Sequence, residues 1–121
     1  MLLANISETL QAKIIHKSTQ FDSSEIQSVI VSDLMSDVLM TDQPSPVLLS
    51  SLSTDQTIRT ASMIDALGVI ITQNKPLPQG IDSLAEELDI TLLHTHMDKF
   101  DACILLGTLM GKCNIKGSVN Q

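Results

Sequence analysis

Three short stretches decide the fold: Val47-Leu48-Leu49, Ile58-Arg59-Thr60-Ala61-Ser62-Met63 and Gly68-Val69-Ile70-Ile71-Thr72. The first and third are uncharged aliphatic runs, short enough for strands and too apolar for solvated loops. Between them, Ile58, Ala61, Ile64 and Leu67 recur every third residue, which predicts a helix over Asp55–Leu67 with one buried stripe. Gly68 stands where that helix would stop. A strand, a helix and a second strand in this order form a parallel pair joined by a right-handed crossover.

The same rhythm extends in both directions. Upstream, Ser28-Val29-Ile30-Val31 reads as a strand running into a helix over Ser32–Met40, with Ser32 as N-cap and Leu34, Met35, Val38 and Leu39 at helical spacing. Pro44 and Pro46 end that helix in the loop that follows. Downstream, the polar stretch Gln73–Gly80 leads to a helix marked by Ile81, Leu84, Ala85 and Leu88, then a strand over Ile90–His94. A last helix starts at Asp98, which can cap it, and Phe100, Cys103, Ile104 and Met110 are its expected buried side. Before all of these come a short helix over Asn5–Leu10, with Asn5 and Glu8 at capping-box spacing, and a strand over Ala12–His16. Leu2, Leu3, Ile6 and Leu10 are that helix's apolar stripe. The reading is a small three-layer α/β domain with a mainly parallel sheet of four or five strands and flanking helices. One domain covers residues 1–121, its core about residues 5–111, and the polar stretch 112–121 is expected to fray.

Composition narrows the partners. The chain has 121 residues, with 7 basic and 14 acidic side chains and a net charge of −7. That charge repels phosphate backbones, and no polybasic segment exists to hold an anionic membrane, so neither nucleic acid nor membrane is expected. Met1-Leu2-Leu3-Ala4 has no basic flank and meets Asn5, Ser7 and Glu8 at once, so no secretory signal is read. Two cysteines, Cys103 and Cys113, do not make a disulfide framework, and a cytoplasmic setting is expected. Aromatic residues are 2% of the chain, Phe21 and Phe100, so the core must be aliphatic and methionine-rich.

Catalytic signatures are sparse. There is no G-x-x-x-x-G-K-[ST] loop, no G-x-G-x-x-G turn and no G-x-S-x-G elbow. His94-x-His96, with Asp98 or Cys103, has some of the donors of a metal site, but one short segment rarely supplies three ligands, and solvent-facing histidines at a strand end fit better. No cofactor is expected. Asp33 and Asp37 lie four apart: they are either paired carboxylates for acid–base work or a helix-start aspartate and a solvated one. Arg59 is the sole arginine; it can grip an anion bidentately or form a surface ion pair, with Thr60 beside it. Open α/β sheets bind ligands beyond the carboxyl ends of their strands. Those ends carry Ser32, Asp33, Ser50, Ser51, Thr72 and Thr95, a hydroxyl-rich rim suited to a small anion or nucleotide.

The run Val31-Ser32-Asp33-Leu34-Met35-Ser36-Asp37-Val38-Leu39 resembles the DRTGG domain family. The resemblance continues through Ile58–Met63, Gly68–Thr72 and Leu84–Thr95, ending near Phe100-Asp101-Ala102. The family is similar to the N-terminal domain of HPr kinase/phosphorylase, and its members also stand beside CBS domains in nucleotide-regulated pyrophosphatases. The resemblance implies a noncatalytic regulatory or ligand-sensing module, a homodimer, and a small phosphorylated metabolite or nucleotide as ligand. Asp33, Arg59, Thr60 and Gly68 match positions that the family's name reflects. Leu49-Ser50-Ser51-Leu52 departs from the Thr-Gly turn that relatives often have, and Asp89-Ile90-Thr91 from their Gly-Ile-Pro. Two other readings stay open. One is a structural adaptor docking onto a larger metabolic enzyme; the other is an enzyme acting on phosphoryl or acyl-phosphate compounds through Asp33, Asp37 and Arg59. Met35, Met40 and Met63 are the expected adaptable apolar contacts of a dimer face.

Overall fold

A computed structural model describes residues 1–112 of the chain. The expectations for Cys113 and for the rest of the polar C-terminal stretch lie outside the described residues. Five strands form one sheet in the order β1-β5-β4-β3-β2, with β1 at Lys13–His16, β2 at Ser28–Val31, β3 at Pro46–Ser50, β4 at Gly68–Ile71 and β5 at Thr91–His94. β2 to β5 are parallel to their neighbours, and β1 pairs antiparallel with β5, with an irregularity between Ile14 and His16. The expected mainly parallel α/β architecture is therefore present.

Helices α2 (Met35–Leu39), α3 (Asp55–Met63) and α4 (Ile81–Glu87) are the three crossovers. Because β2, β3, β4 and β5 are laid down in one direction, right-handed crossovers put all three helices on the same face. Alternation along the strands follows from this. Leu48, Val69, Ile71 and Leu92 pack with Met35, Val38, Ile58, Ala61, Ile81, Leu84 and Ala85 on that face. Val47, Leu49, Ile70 and Leu93 point to the other face. There they meet Leu3 and Ile6 of α1 (Leu3–Thr9), Phe21, and Ala102 and Leu106 of α5 (Lys99–Leu109). Three layers result, with both faces of β3 and β4 buried throughout.

Helix ends differ from expectation in an instructive way. α3 stops at Met63 rather than Leu67, because Asp65 takes the left-handed conformation at φ 56°. Ala66 N–H then bonds to the Ala61 carbonyl and Asp65 N–H to the Ser62 carbonyl, a Schellman stop. Gln11 and Asp89 close α1 and α4 in the same manner, at φ 51° and 52°, and Gly111 closes α5. Gly68, expected as a helix stop, instead begins β4, where a Cβ would stand 3.1 Å from a Leu3 methyl. α1 starts at Leu3 behind Leu2, so Asn5 and Glu8 lie inside it and do not form a capping box. α2 is shorter than Ser32–Met40. α5 is capped as expected, the Asp98 carboxylate accepting from Asp101 N–H. Its buried side, however, is Ala102 and Leu106, while Phe100 is 73% exposed. Met35 is likewise buried in the core, so only Met40 and Met63 of the three methionines face solvent. No helix among the described residues is long and apolar enough to cross a membrane.

Two stability measurements follow. Leu48→Ala removes a fully buried side chain from the central layer and should cost about 2–5 kcal/mol in urea unfolding. Gln11→Gly relieves an exposed left-handed residue and should stabilise by about 0.5 kcal/mol, the steric relief outweighing glycine's extra chain entropy.

Candidate functional site

The carboxyl ends of β2 and β3 lie side by side, and the chain turns sharply after each. After β2, Ser32 N–H extends the ladder to the Leu49 carbonyl, and Ser32 Oγ accepts from Leu34 N–H at 3.0 Å. Ser32 thus shapes the turn ahead of α2 rather than capping the helix itself, since Leu34 holds the cap position. That turn presents the Asp33 carboxylate to the end of β3. Asp33 Oδ1 accepts from Ser50 Oγ at 2.8 Å and from Ser51 N–H at 2.7 Å, while Oδ2 accepts from Ser51 Oγ at 2.8 Å. Lys99 Nζ completes an ion pair with Oδ2 from the first turn of α5, across the sheet edge.

Partial burial pushes the Asp33 carboxyl up. The Lys99 ammonium, the Ser51 amide and hydroxyl, and the Ser50 hydroxyl together outweigh that push and hold it well below the usual carboxylate range. A carboxylate so held stays ionised near neutral pH and is a poor proton donor or acceptor. It works here as a hub that ties β2, β3 and α5 together.

The other rim hydroxyls turn inward. Thr72 is fully buried and its Oγ1 reaches the Ser50 carbonyl at 3.4 Å. Thr95 is buried too, donating Oγ1–H to the Leu10 carbonyl at 2.7 Å and accepting from Met97 N–H. Thr60 is buried on the inner side of α3. Arg59 is exposed on the same helix and makes no ion pair among the described residues. The structure therefore brings Ser32, Asp33, Ser50 and Ser51 into one cluster, builds Thr72 and Thr95 into the frame behind it, and leaves Arg59 and Thr60 apart from it.

A cleft of about 730 Å³ opens at the ends of β4 and β5, lined by Gln73, His96, Met97, Asp98, Asp101, Ile104 and Leu105. Its near wall is a strained turn: Gln73 and Asn74 are consecutive left-handed residues, at φ 63° and 49°. Two backbone bonds hold them there, Gln73 N–H to the Met97 carbonyl at 2.7 Å and Asn74 N–H to the Thr95 carbonyl at 2.9 Å. The floor is apolar and the rim is carboxylate, imidazole and amide, a combination that holds an organic ligand and orients it. Neither Lys99's role nor the cleft is legible in the sequence. Asp33 and Lys99 are far apart in the chain, and the only local signal was the polar Gln73-Asn74 pair directly after a strand.

The histidine pair does not converge on a metal. His94 Nε2 donates to the Lys75 carbonyl at 2.8 Å, and His96 stands apart on the cleft rim. No group of three or more metal-ligating side chains gathers among the described residues. Burial pushes the Cys103 thiol up, partly offset by the charge of Lys99, which leaves it a poor nucleophile.

The fold and this edge define a class: a small α/β domain with a tied carboxyl edge and a cleft beside it. No protein-family model matches the chain, and no curated protein matches it. Among solved structures it is similar to the CBS and DRTGG domains of the regulatory region of Clostridium perfringens pyrophosphatase, complexed with the activator diadenosine tetraphosphate. The TM-score is 0.73 at 19% identity, covering 87% of this chain and 45% of that one. This chain thus corresponds to less than half of that region. At such identity the likeness shows the fold, and it bears out the DRTGG-like fold that the sequence resemblance implied.

The Asp33 hub has a measurable pH signature. Its pKa in the folded protein is lowered from an unfolded value of about 3.9, so its stabilisation is fully present above roughly pH 5. It is lost progressively as pH falls through the unfolded value towards the folded one. Asp33→Asn should cost about 1 kcal/mol or less at pH 7, the carboxylate being partly exposed and screened, and should flatten the fall in stability between pH 5 and pH 3 by about the same amount. Urea titrations of both proteins at each pH test this; parallel acid profiles would exclude the hub role.

Proposed function

We propose that the chain is a noncatalytic regulatory module that senses a small phosphorylated metabolite or nucleotide and works as a homodimer. The observation that carries this reading is the fold likeness to a pyrophosphatase regulatory region holding a nucleotide activator. The local chemistry supports it. Asp33 is locked as an ionised structural hub, which argues against acid–base turnover at this edge and for a binding role.

The cleft supplies the ligand's place in this reading. Met97, Ile104 and Leu105 form an apolar floor for a base or other flat group, and Asp98 and Asp101 can accept from sugar hydroxyls. With no aromatic residue lining the cleft, stacking is replaced by aliphatic contact. Lys99, in the same first turn of α5, is the cation nearest in sequence to that rim, and it is already paired with Asp33. A phosphate that draws Lys99 away releases the tie between α5 and the β2–β3 edge, so ligand binding changes the structure where sensing needs it. Ser32 and Ser51 contribute hydroxyls at that edge, and exposed Arg59 is a second contact for an extended anion.

A thermal-shift series with adenosine mono-, di- and triphosphate, diadenosine tetraphosphate and acetyl phosphate tests the reading. A compound at 100 times its dissociation constant adds about 2.7 kcal/mol, a rise in Tm on the order of 10 °C. Lys99→Ala should reduce the shift, while Met63→Ser, on an exposed part of α3, should leave it unchanged. No shift with any compound would overturn the sensor reading and favour the adaptor one.

A further inference from the structure

α5 combines two properties that rarely coexist in a monomer: it lies on the surface, and it carries apolar side chains on its outward side as well as its inward one. Ala102 and Leu106 face the core, with Cys103 and Leu105 partly packed beside them. Phe100 is 73% exposed, Leu109 is 42% exposed, and half-buried Ile104 joins neither core. One of the chain's two aromatic residues is thus spent on solvent, on a helix whose sequence marks Phe100, Cys103, Ile104 and Met110 as a buried stripe. A helix with apolar side chains on two opposite sides belongs between two layers, and among the described residues only one is present.

Charge at the two ends of α5 says what covers it. In the first turn Lys99 is paired with Asp33, which leaves the carboxylates of Asp98 and Asp101 at that end, and the C-terminal stop carries Lys112. Lys112 is held at that end, its N–H bonded to the Gly107 carbonyl at 2.8 Å. A second copy of α5 laid antiparallel meets each acidic end with a basic one, and a two-fold axis requires such self-complementarity. Setting Asp101 opposite Lys112 of the partner subunit centres the axis beside Gly107, where a small residue lets two helices approach closely. The same register sets Ile104 beside the exposed Thr108 of the partner subunit.

We propose that the outward face of α5 is the dimer interface of this protein, two copies packing α5 antiparallel about Gly107. This rests on the homodimer reading above and names the surface that makes it. Asp101, Ile104 and Leu105 also wall the cleft, so the second copy closes the cleft's open side.

Sedimentation velocity over 1–100 µM tests the proposal on the full chain. The wild type should sediment as a dimer at tens of micromolar. Phe100→Ser, on a side chain too exposed to matter for monomer folding, should raise the dissociation constant on the order of tenfold or more with unchanged circular dichroism. Asp101→Lys and Lys112→Asp should each weaken the dimer by roughly threefold to tenfold at low salt, and the double swap should restore it. A strict monomer would overturn both the homodimer reading and this surface. A dimer indifferent to Phe100→Ser and to the charge swap would overturn only the surface. A monomer that dimerises once residues 113–121 are deleted would show that the chain's own C-terminal segment covers α5, overturning the proposal.

Discussion

The structure depends on one constraint: a parallel sheet must be covered on both faces, and its crossovers can cover only one. β2, β3, β4 and β5 are added in one direction, so right-handed connections place α2, α3 and α4 together on a single side. The opposite side, with Val47, Leu49, Ile70 and Leu93 pointing into it, needs elements from outside the crossover series. α1 comes from before the parallel strands and α5 from after them. The geometry of the candidate site follows from that second layer. α5 has to start at the carboxyl end of β5 and fold back over the sheet, which brings Lys99 to Asp33 and hollows the cleft beside Met97.

The same constraint explains why the rim is less open than its hydroxyls promise. A doubly wound sheet has a point where the strand order reverses and a crevice forms. Here the order from β2 to β5 never reverses, and α1 and α5 press against the edge. Thr95 spends its hydroxyl on the Leu10 carbonyl, Thr72 on the Ser50 carbonyl, and Ser50 on Asp33. Buried polar groups must be satisfied, and the cheapest partners are the backbone ends that the closing helices bring near. What remains solvent-facing is a smaller set: Ser32, Ser51, the outer part of Asp33, and the cleft rim on α5.

Much of the fold was legible in the residues themselves. Val47–Leu49 and Val69–Ile71 read as buried strands because a central parallel strand carries apolar side chains on both faces, a pattern that loops and amphipathic helices do not share. α3 was visible in Ile58 and Ala61, and α5's cap in Asp98, whose carboxylate does accept from Asp101 N–H. The errors share a cause. Gly68 suggests a helix stop because glycine enters the left-handed region most easily, yet Asp65, Gln11 and Asp89 do that work here, each held by two Schellman bonds. These bonds are local, and they hold an ordinary residue in the left-handed region at modest cost, so a glycine further on need not mark where a helix stops.

The sequence by itself determined the class of fold, the aliphatic core and the ionic balance, because these follow from periodicity and composition. It also marked Ser32, Asp33, Ser50, Ser51, Thr72 and Thr95 as one rim, since strand ends in a parallel sheet share one edge. Tertiary structure alone decided that Lys99 completes the group, that Thr72 and Thr95 serve the frame, and that Ala102 and Leu106 are the inward side of α5. Local spacing cannot choose between two apolar faces of one helix. That choice is made by the depth of the groove that Leu3, Ile6 and the sheet leave open, where small Ala102 fits and Phe100 is left facing outward.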